Sequence, residues 1–157
     1  MENNFSIVLF EPEIPGNTGS IGRTCVALNL RLILIKPYGF DLSEKAVRRA
    51  GLDYWKHVNI TEYNSFSDFL AGEKPDEEQL FFFENDGKEN YFKADFKKGA
   101  YLILGAETKG LSKEIYENYH HRMYYLPMYS EHIRSLNLSN TATTVAYEAL
   151  RKISFTD

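Results

Sequence analysis

Arg134-Ser135-Leu136-Asn137-Leu138-Ser139-Asn140 packs guanidinium, hydroxyl and amide groups into seven positions, enough polar chemistry to hold a ligand. The stretch runs into a helical pattern in which Leu138, Ala142, Val145, Ala146, Ala149 and Leu150 share one face. That face is mostly alanine, so it admits a closely packed neighbour from its own chain or from a second subunit. Two further stretches carry comparable chemistry. Pro15-Gly16-Asn17-Thr18-Gly19-Ser20-Ile21-Gly22-Arg23-Thr24 lies between a strand-like and a helix-like segment, where phosphate loops occur. Its glycines are evenly spaced, which fails G-x-G-x-x-G, and Arg23 and Asn17 stand where a P-loop needs Lys and Gly. Nicotinamide and ATP chemistry are therefore disfavoured. A capped turn feeding a core helix explains the glycines but leaves Arg23 unexplained. Gly105-Ala106-Glu107-Thr108-Lys109-Gly110-Leu111 follows an apolar run, the position at which open α/β sheets bind ligands. Gly105 admits a close approach to the backbone, and Gly110 suits a positive φ before the helix cap Ser112.

Other reactive residues read as bland. The lone Cys25 falls on the apolar face of a helix with no base beside it, so a core thiol is expected rather than a nucleophile. His57, His120, His121 and His132 lack the spacing of a metal site. One cysteine rules out an internal disulfide framework and fits a reducing compartment. The net charge of −4 argues against a protein that coats nucleic acid by charge alone. Local basic groups remain, at Lys45, Arg48 and Arg49 and beside the motifs at Arg23, Lys109, Arg122 and Arg134.

These groups must be positioned by something. The chain has 157 residues, 43% apolar and 25% charged, which suits one soluble domain over 1–157. It shows no apolar run of membrane-spanning length and no basic, signal-like start, so a cytoplasmic location is expected. Strand-like runs are expected at Phe5 to Phe10, Arg31 to Ile35, His57 to Ile60, Gln79 to Phe83, Tyr101 to Leu104 and Met123 to Leu126. Helices are expected after an Asn17 or Thr18 cap, from Glu44 to Ala50, near Phe66 to Leu70, from Ser112 to Tyr119 and from Asn140 to Leu150. Glu84 to Gly99 reads as an irregular crossover. Continuous apolar strands alternating with helices predict an α/β fold with a mostly parallel six-stranded sheet covered on both faces.

Taken together, the three motif stretches resemble the SPOUT superfamily of RNA methyltransferases. Pro12-x-Ile14-Pro15-Gly16-Asn17-Thr18-Gly19 with Arg23 resembles its first motif, and Gly105-x-Glu107-Thr108-Lys109-Gly110-Leu111 its second. Arg134-Ser135-Leu136-Asn137-Leu138-Ser139 with Tyr147-Glu148 resembles the third. Order, spacing and length look like the TrmL (YibK) subgroup, as does Arg48-Arg49-Ala50-Gly51-Leu52-Asp53-Tyr54, over roughly residues 5 to 152. Ala106 and Ser20 depart from the residues frequent there, and the loop Tyr129 to Ile133 is about one residue longer.

The resemblance implies a C-terminal trefoil knot, a homodimer and S-adenosyl-L-methionine as cofactor, with no metal and no membrane. It implies methyl transfer to the ribose 2′-hydroxyl of the tRNA wobble nucleotide, cytidine or modified uridine, within the anticodon loop of leucine tRNAs. Carried over by position, Phe83, Gly105, Leu126, Ser135 and Leu136 would line the cofactor site. Asn17, Arg23, Glu107, Asn137 and Ser139 would be the polar active-site positions. Lys45, Arg48, Arg49 and Arg134 would meet RNA. A related enzyme acting on ribosomal RNA or another tRNA position, and a non-catalytic RNA-binding α/β protein, are the alternatives.

Overall fold

The computed structural model describes residues 4–43 and 54–155. Among them, seven strands form one sheet: β1 (Phe5–Phe10), β2 (Arg31–Ile35), β3 (Asn59–Tyr63), β4 (Leu80–Phe83), β5 (Glu89–Asn90), β6 (Ala100–Leu104) and β7 (Met123–Tyr125). Their spatial order is β3-β2-β1-β6-β4-β7-β5, and each neighbouring pair is parallel. The expected count of six misses β5. This two-residue edge strand pairs Glu89 with Tyr124 and Asn90 with Tyr125, and its polar residues give no periodic signal. The rest of the 84–99 crossover is irregular apart from one short 3-10 turn, Tyr91–Lys93. The strand expected at His57 instead begins at Asn59, because Trp55–His57 forms a 3-10 turn before it.

Four helices flank the sheet among the described residues: α1 (Pro15–Leu28), α2 (Phe66–Glu73), α3 (Lys113–Tyr119) and α4 (Leu138–Phe155). The helix expected at Glu44 to Ala50 lies outside the described residues. Ser65 and Ser112 cap α2 and α3, accepting from Asp68 N at 3.0 Å and Ile115 N at 3.2 Å. Helix α1 starts at Pro15 rather than after an Asn17 or Thr18 cap, since proline at the first helical position needs no N–H partner.

Strand alternation divides the core into two layers. Ile7, Leu9, Leu32, Leu34, Phe81, Leu102 and Leu104 face Ile21 and Cys25 of α1 and the buried Ala142, Val145, Ala146 and Ala149 of α4. Val8, Ile33, Ile35, Phe82, Ile103 and Met123 face Phe69 of α2 and Ile115 of α3. Both faces are thus covered, which is why β1, β2, β4 and β6 read as largely apolar runs rather than as alternating ones. The alanine face of α4 is used within the chain, packed beside α1, where Thr24 Oγ1 and Thr143 Oγ1 are 2.8 Å apart. One polar cluster ties the second layer together. The Glu73 carboxylate accepts from Nη1 and Nη2 of Arg31 and from the hydroxyls of Tyr63 and Tyr101, the last at 2.8 Å.

The strand order creates the site. The chain lays β1, β2 and β3 outward to one edge, then places β4 on the other side and inserts β6 between β1 and β4. The loops leaving β1, β6, β4 and β7 therefore meet at the carboxyl end of the sheet, where the direction of progression reverses.

Candidate active site

A cavity of about 630 Å³ opens at this junction, within the range of small-molecule sites. Phe83, Gly105, Leu126, Ser135 and Leu136 all line it, as do Asn17, Glu107 and Asn137. Apolar groups (Leu104, Leu126, Met128, Leu136) share the wall with the carboxylates Glu84, Asp86 and Glu107 and one cation, Lys109. Apolar walls beside exposed loop backbone suit a purine nucleoside. The excess of carboxylate suits a cationic group such as a sulfonium or an ammonium.

The three motif stretches are joined by a single relay of hydrogen bonds. Glu107 Oε1 accepts from Glu13 N at 2.8 Å, and Oε2 accepts from Ile14 N at 2.9 Å and Asn17 Nδ2 at 3.1 Å. A carboxylate at the start of α1 also faces the positive end of that helix. Asn17 Oδ1 in turn accepts from Asn137 Nδ2 at 3.2 Å. Asn137 Oδ1 then accepts from Ser139 N at 2.8 Å, Asn140 N at 3.2 Å and the Ser139 hydroxyl, capping α4. Each asparagine amide donates on one side and accepts on the other, which fixes its orientation within the relay.

Sequence reasoning missed a second carboxylate, Glu13, which it passed over as the variable position of the first motif. Glu13 Oε1 accepts from Thr108 N at 3.0 Å and Lys109 N at 3.2 Å, and Oε2 from Thr108 Oγ1 at 2.6 Å. The Thr108 hydroxyl and backbone N–H, helped by Lys109, hold the Glu13 carboxyl below its usual range against the opposing effect of desolvation. It also missed Glu84, which follows β4. Glu84 Oε1 accepts from Leu111 N at 2.8 Å, and burial pushes its carboxyl above the usual range, with Asp86 adding to the shift.

The glycines of the second motif serve the chain itself. A Cβ on Gly105 would meet the Gly110 carbonyl carbon at 2.5 Å, so Gly105 makes room for its own loop rather than for a ligand alone. The loop closes through Ala106 N to Gly110 O at 3.1 Å and Gly110 N to Ala106 O at 2.9 Å. Gly110 has φ of +68°, the positive value expected of it.

Two expected polar positions stand outside the cavity wall. Ser139 contacts Asn137 but is directed to the α4 cap. Arg23 is exposed on α1, a turn and a half beyond Asn17, with its guanidinium carbon 5.3 Å from the centre of the Tyr54 ring. Arg134 is exposed in the loop between Met128 and Ser135, both of which line the cavity. Lys45, Arg48 and Arg49 lie outside the described residues. Cys25 is fully buried, and burial pushes its thiol up to about 12, which removes it as a nucleophile. Among the described residues no group of three His, Cys, Asp or Glu side chains is placed to hold a metal, and no helix is long and apolar enough to cross a membrane.

Several known proteins are similar to this chain in sequence and architecture. A Geobacillus stearothermophilus protein provisionally named tRNA (cytidine(34)-2′-O)-methyltransferase is 46% identical over 152 residues, 95% of each chain. A Burkholderia pseudomallei protein, named tRNA (cytidine(34)-2′-O)-methyltransferase, is 40% identical over 152 residues, 96% of this chain and 97% of its own. A solved structure described as giving insight into 2-OH methylation of C/U34 on tRNA superposes with a TM-score of 0.85 at 38% identity, covering 94% of this chain and 95% of its own. The SpoU methyltransferase AviRb from Streptomyces viridochromogenes, solved with AdoMet, superposes at 0.83 with 27% identity; the match covers 97% of this chain and 59% of that one. Residues 4–147 match the model of the SpoU rRNA Methylase family, and the chain belongs to that family of methyltransferases.

Proposed function

We propose that this protein transfers a methyl group from S-adenosylmethionine to the ribose 2′-hydroxyl of the tRNA wobble nucleotide, cytidine or uridine 34. The observation that carries the reading is the Glu107–Asn17–Asn137 relay, which binds three distant motifs into one wall of a nucleoside-sized cavity. Relatives at 40% and 46% identity over nearly their whole length support the tRNA substrate.

The cofactor, when bound, supplies an electrophilic methyl on a sulfonium centre. What the chain must add is placement and charge stabilisation, and orientation alone can be worth roughly 7–11 kcal/mol. Phe83, Gly105, Leu126, Ser135 and Leu136 would hold it, largely through backbone groups and apolar contact. Guanidinium groups remain cationic at physiological pH, so Arg23 acts as a hydrogen-bond donor to the RNA phosphate or the developing alkoxide rather than as a base. Asn17, Glu107, Asn137 and Ser139 hold the walls in register. Arg134, with Lys45, Arg48 and Arg49, would meet the splayed anticodon loop, a single-stranded target suited to charge and base contacts.

The working unit is proposed to be a cytoplasmic homodimer with a C-terminal trefoil knot. Several large apolar side chains left exposed, Ile14, Ile133, Leu136 and Tyr147 among them, support self-association. The shared cavity lining of Leu126, Met128, Ser135 and Leu138 with the loop after β6 supports a threaded C-terminal segment. The decisive experiment is in vitro methylation of tRNA transcripts followed by mass mapping of nucleosides. A 2′-O-methyl at nucleotide 34, abolished by a 2′-deoxy substitution there, is expected; modification elsewhere, or of ribosomal RNA only, overturns the assignment.

A further inference from the structure

The evenly spaced glycines of α1 match no phosphate loop, and the segment Tyr54–His57 shows what Gly22 does. A Cβ on Gly22 would lie 2.7 Å from Cζ3 of Trp55, so only glycine lets the indole seat against the helix at this point. Three residues earlier, the Gly19 carbonyl accepts from the Tyr54 hydroxyl at 3.4 Å. The two aromatic residues are thereby pinned along one side of α1. The Tyr54 ring then lies under the guanidinium of Arg23, whose carbon is 5.3 Å from the ring centre. Arg23 is otherwise an exposed side chain with several rotatable bonds, outside the cavity lined by Asn17, Glu107 and Asn137. A face-on aromatic ring attracts a cation and favours a planar guanidinium lying across it.

We propose that Tyr54 is a positioning residue for Arg23: its ring, anchored through Gly19 and Gly22, fixes the direction in which the guanidinium donors meet the RNA. The inference rests on the methyl-transfer reading above. It assigns a purpose both to Gly22 and to the Tyr-Trp pair. The ring lies against the guanidinium, and the hydroxyl, which donates to the Gly19 carbonyl, also lies within hydrogen-bonding reach of Arg23.

The test compares Tyr54→Leu and Tyr54→Phe in the full chain. Tyr54→Leu should lower kcat for tRNA methylation at least tenfold while leaving the affinity for S-adenosylhomocysteine within twofold. Tyr54→Phe, which keeps the ring but loses the hydroxyl contacts, should fall between the parent and Tyr54→Leu in kcat. In parallel, the Arg23 Nε–Hε resonance of the unmodified protein should be shifted upfield by the ring current, and Tyr54→Leu should return it toward the value of a free arginine. Tyr54→Leu with unchanged kcat, equal losses in the two variants, or an Arg23 resonance insensitive to Tyr54→Leu each overturn the proposal. So does a loss of S-adenosylhomocysteine affinity matching the loss of rate, which would mark a general structural role. Should the parent protein methylate no tRNA at nucleotide 34, the functional reading fails instead, and the resonance still decides whether Tyr54 holds Arg23.

Discussion

Glu13 and Glu107, 94 positions apart in the chain, cap each other's segments. Glu107 accepts the backbone N–H groups of Glu13 and Ile14, and Glu13 accepts those of Thr108 and Lys109. Two loops that would otherwise carry unpaired donors at the cavity mouth are thus locked in a fixed relative position. A site that must align an electrophilic methyl with a weakly acidic hydroxyl needs this kind of rigidity more than it needs additional reactive groups.

Removing one half of the exchange should therefore cost both stability and binding. Glu107→Ala leaves two backbone donors and the Asn17 amide without their acceptor. That is about 2 kcal/mol for partly buried groups, a fall in Tm of roughly 4–8 °C. Calorimetry should also show at least tenfold weaker S-adenosylhomocysteine binding. Unchanged binding would show that the loops hold their relative position without the carboxylate.

Asn137 does two separable things. Its oxygen caps α4 through Ser139 N and Asn140 N, and its amide nitrogen donates to Asn17. Asn137→Asp keeps the cap acceptor but loses the donor and sets a negative charge against Asn17 Oδ1. Its Tm should stay close to the parent value while methyl transfer falls at least tenfold. Asn137→Ala should lose the cap as well, about 1 kcal/mol of stability. Thermal melts and initial rates on the two variants separate the roles, and equal Tm losses would refute the division.

The Glu73 cluster sets a pH dependence remote from the site. Burial disfavours the charge of Glu73, but the hydrogen bonds from Arg31, Tyr63 and Tyr101 outweigh it, so the carboxyl titrates below its usual 4.5. An acid with a lowered folded pKa binds fewer protons folded than unfolded near that pH, so stability rises with pH there. The contribution is complete above the unfolded pKa and is lost as pH falls through the folded one. Tm measured from pH 6 to pH 3 should drop more steeply in the parent than in Glu73→Gln, and parallel curves would contradict the assignment.

How much of this was legible in the sequence depends on the range of the interaction. β1, β2, β4 and β6 were readable because strands buried on both faces must be largely apolar. The Ser112 cap was readable because its partner is three residues away. The start of α1 is set by Pro15 at the first helical position, a local signal that the capping residues Asn17 and Thr18 obscured, while the Glu107 carboxylate that holds the preceding turn is 90 or more positions distant. Glu13 escaped notice for the same reason, being one acidic residue in a turn. Gly22 and Trp55 carry no individual signal, and only their contact explains the glycine. β5 was invisible because an edge pair of two polar residues depends on β7 offering its free edge.

Cys25 provides a test of mechanism. The thiol is enclosed by the core between α1 and the sheet, and burial pushes it up to about 12. Thiolate is the reactive form, so the native protein should resist alkylation by iodoacetamide at pH 8 and react only once unfolded. Methylation of a pyrimidine carbon through a cysteine adduct would require the opposite. Methyl transfer should therefore survive iodoacetamide treatment unchanged. Cys25→Ala should retain kcat within about threefold, with its cost confined to stability through a small cavity, roughly 1 kcal/mol. Quantifying alkylation by mass spectrometry alongside residual activity checks both expectations. Stoichiometric modification of native protein with loss of activity would place the thiol in the chemistry and overturn ribose methylation by direct transfer.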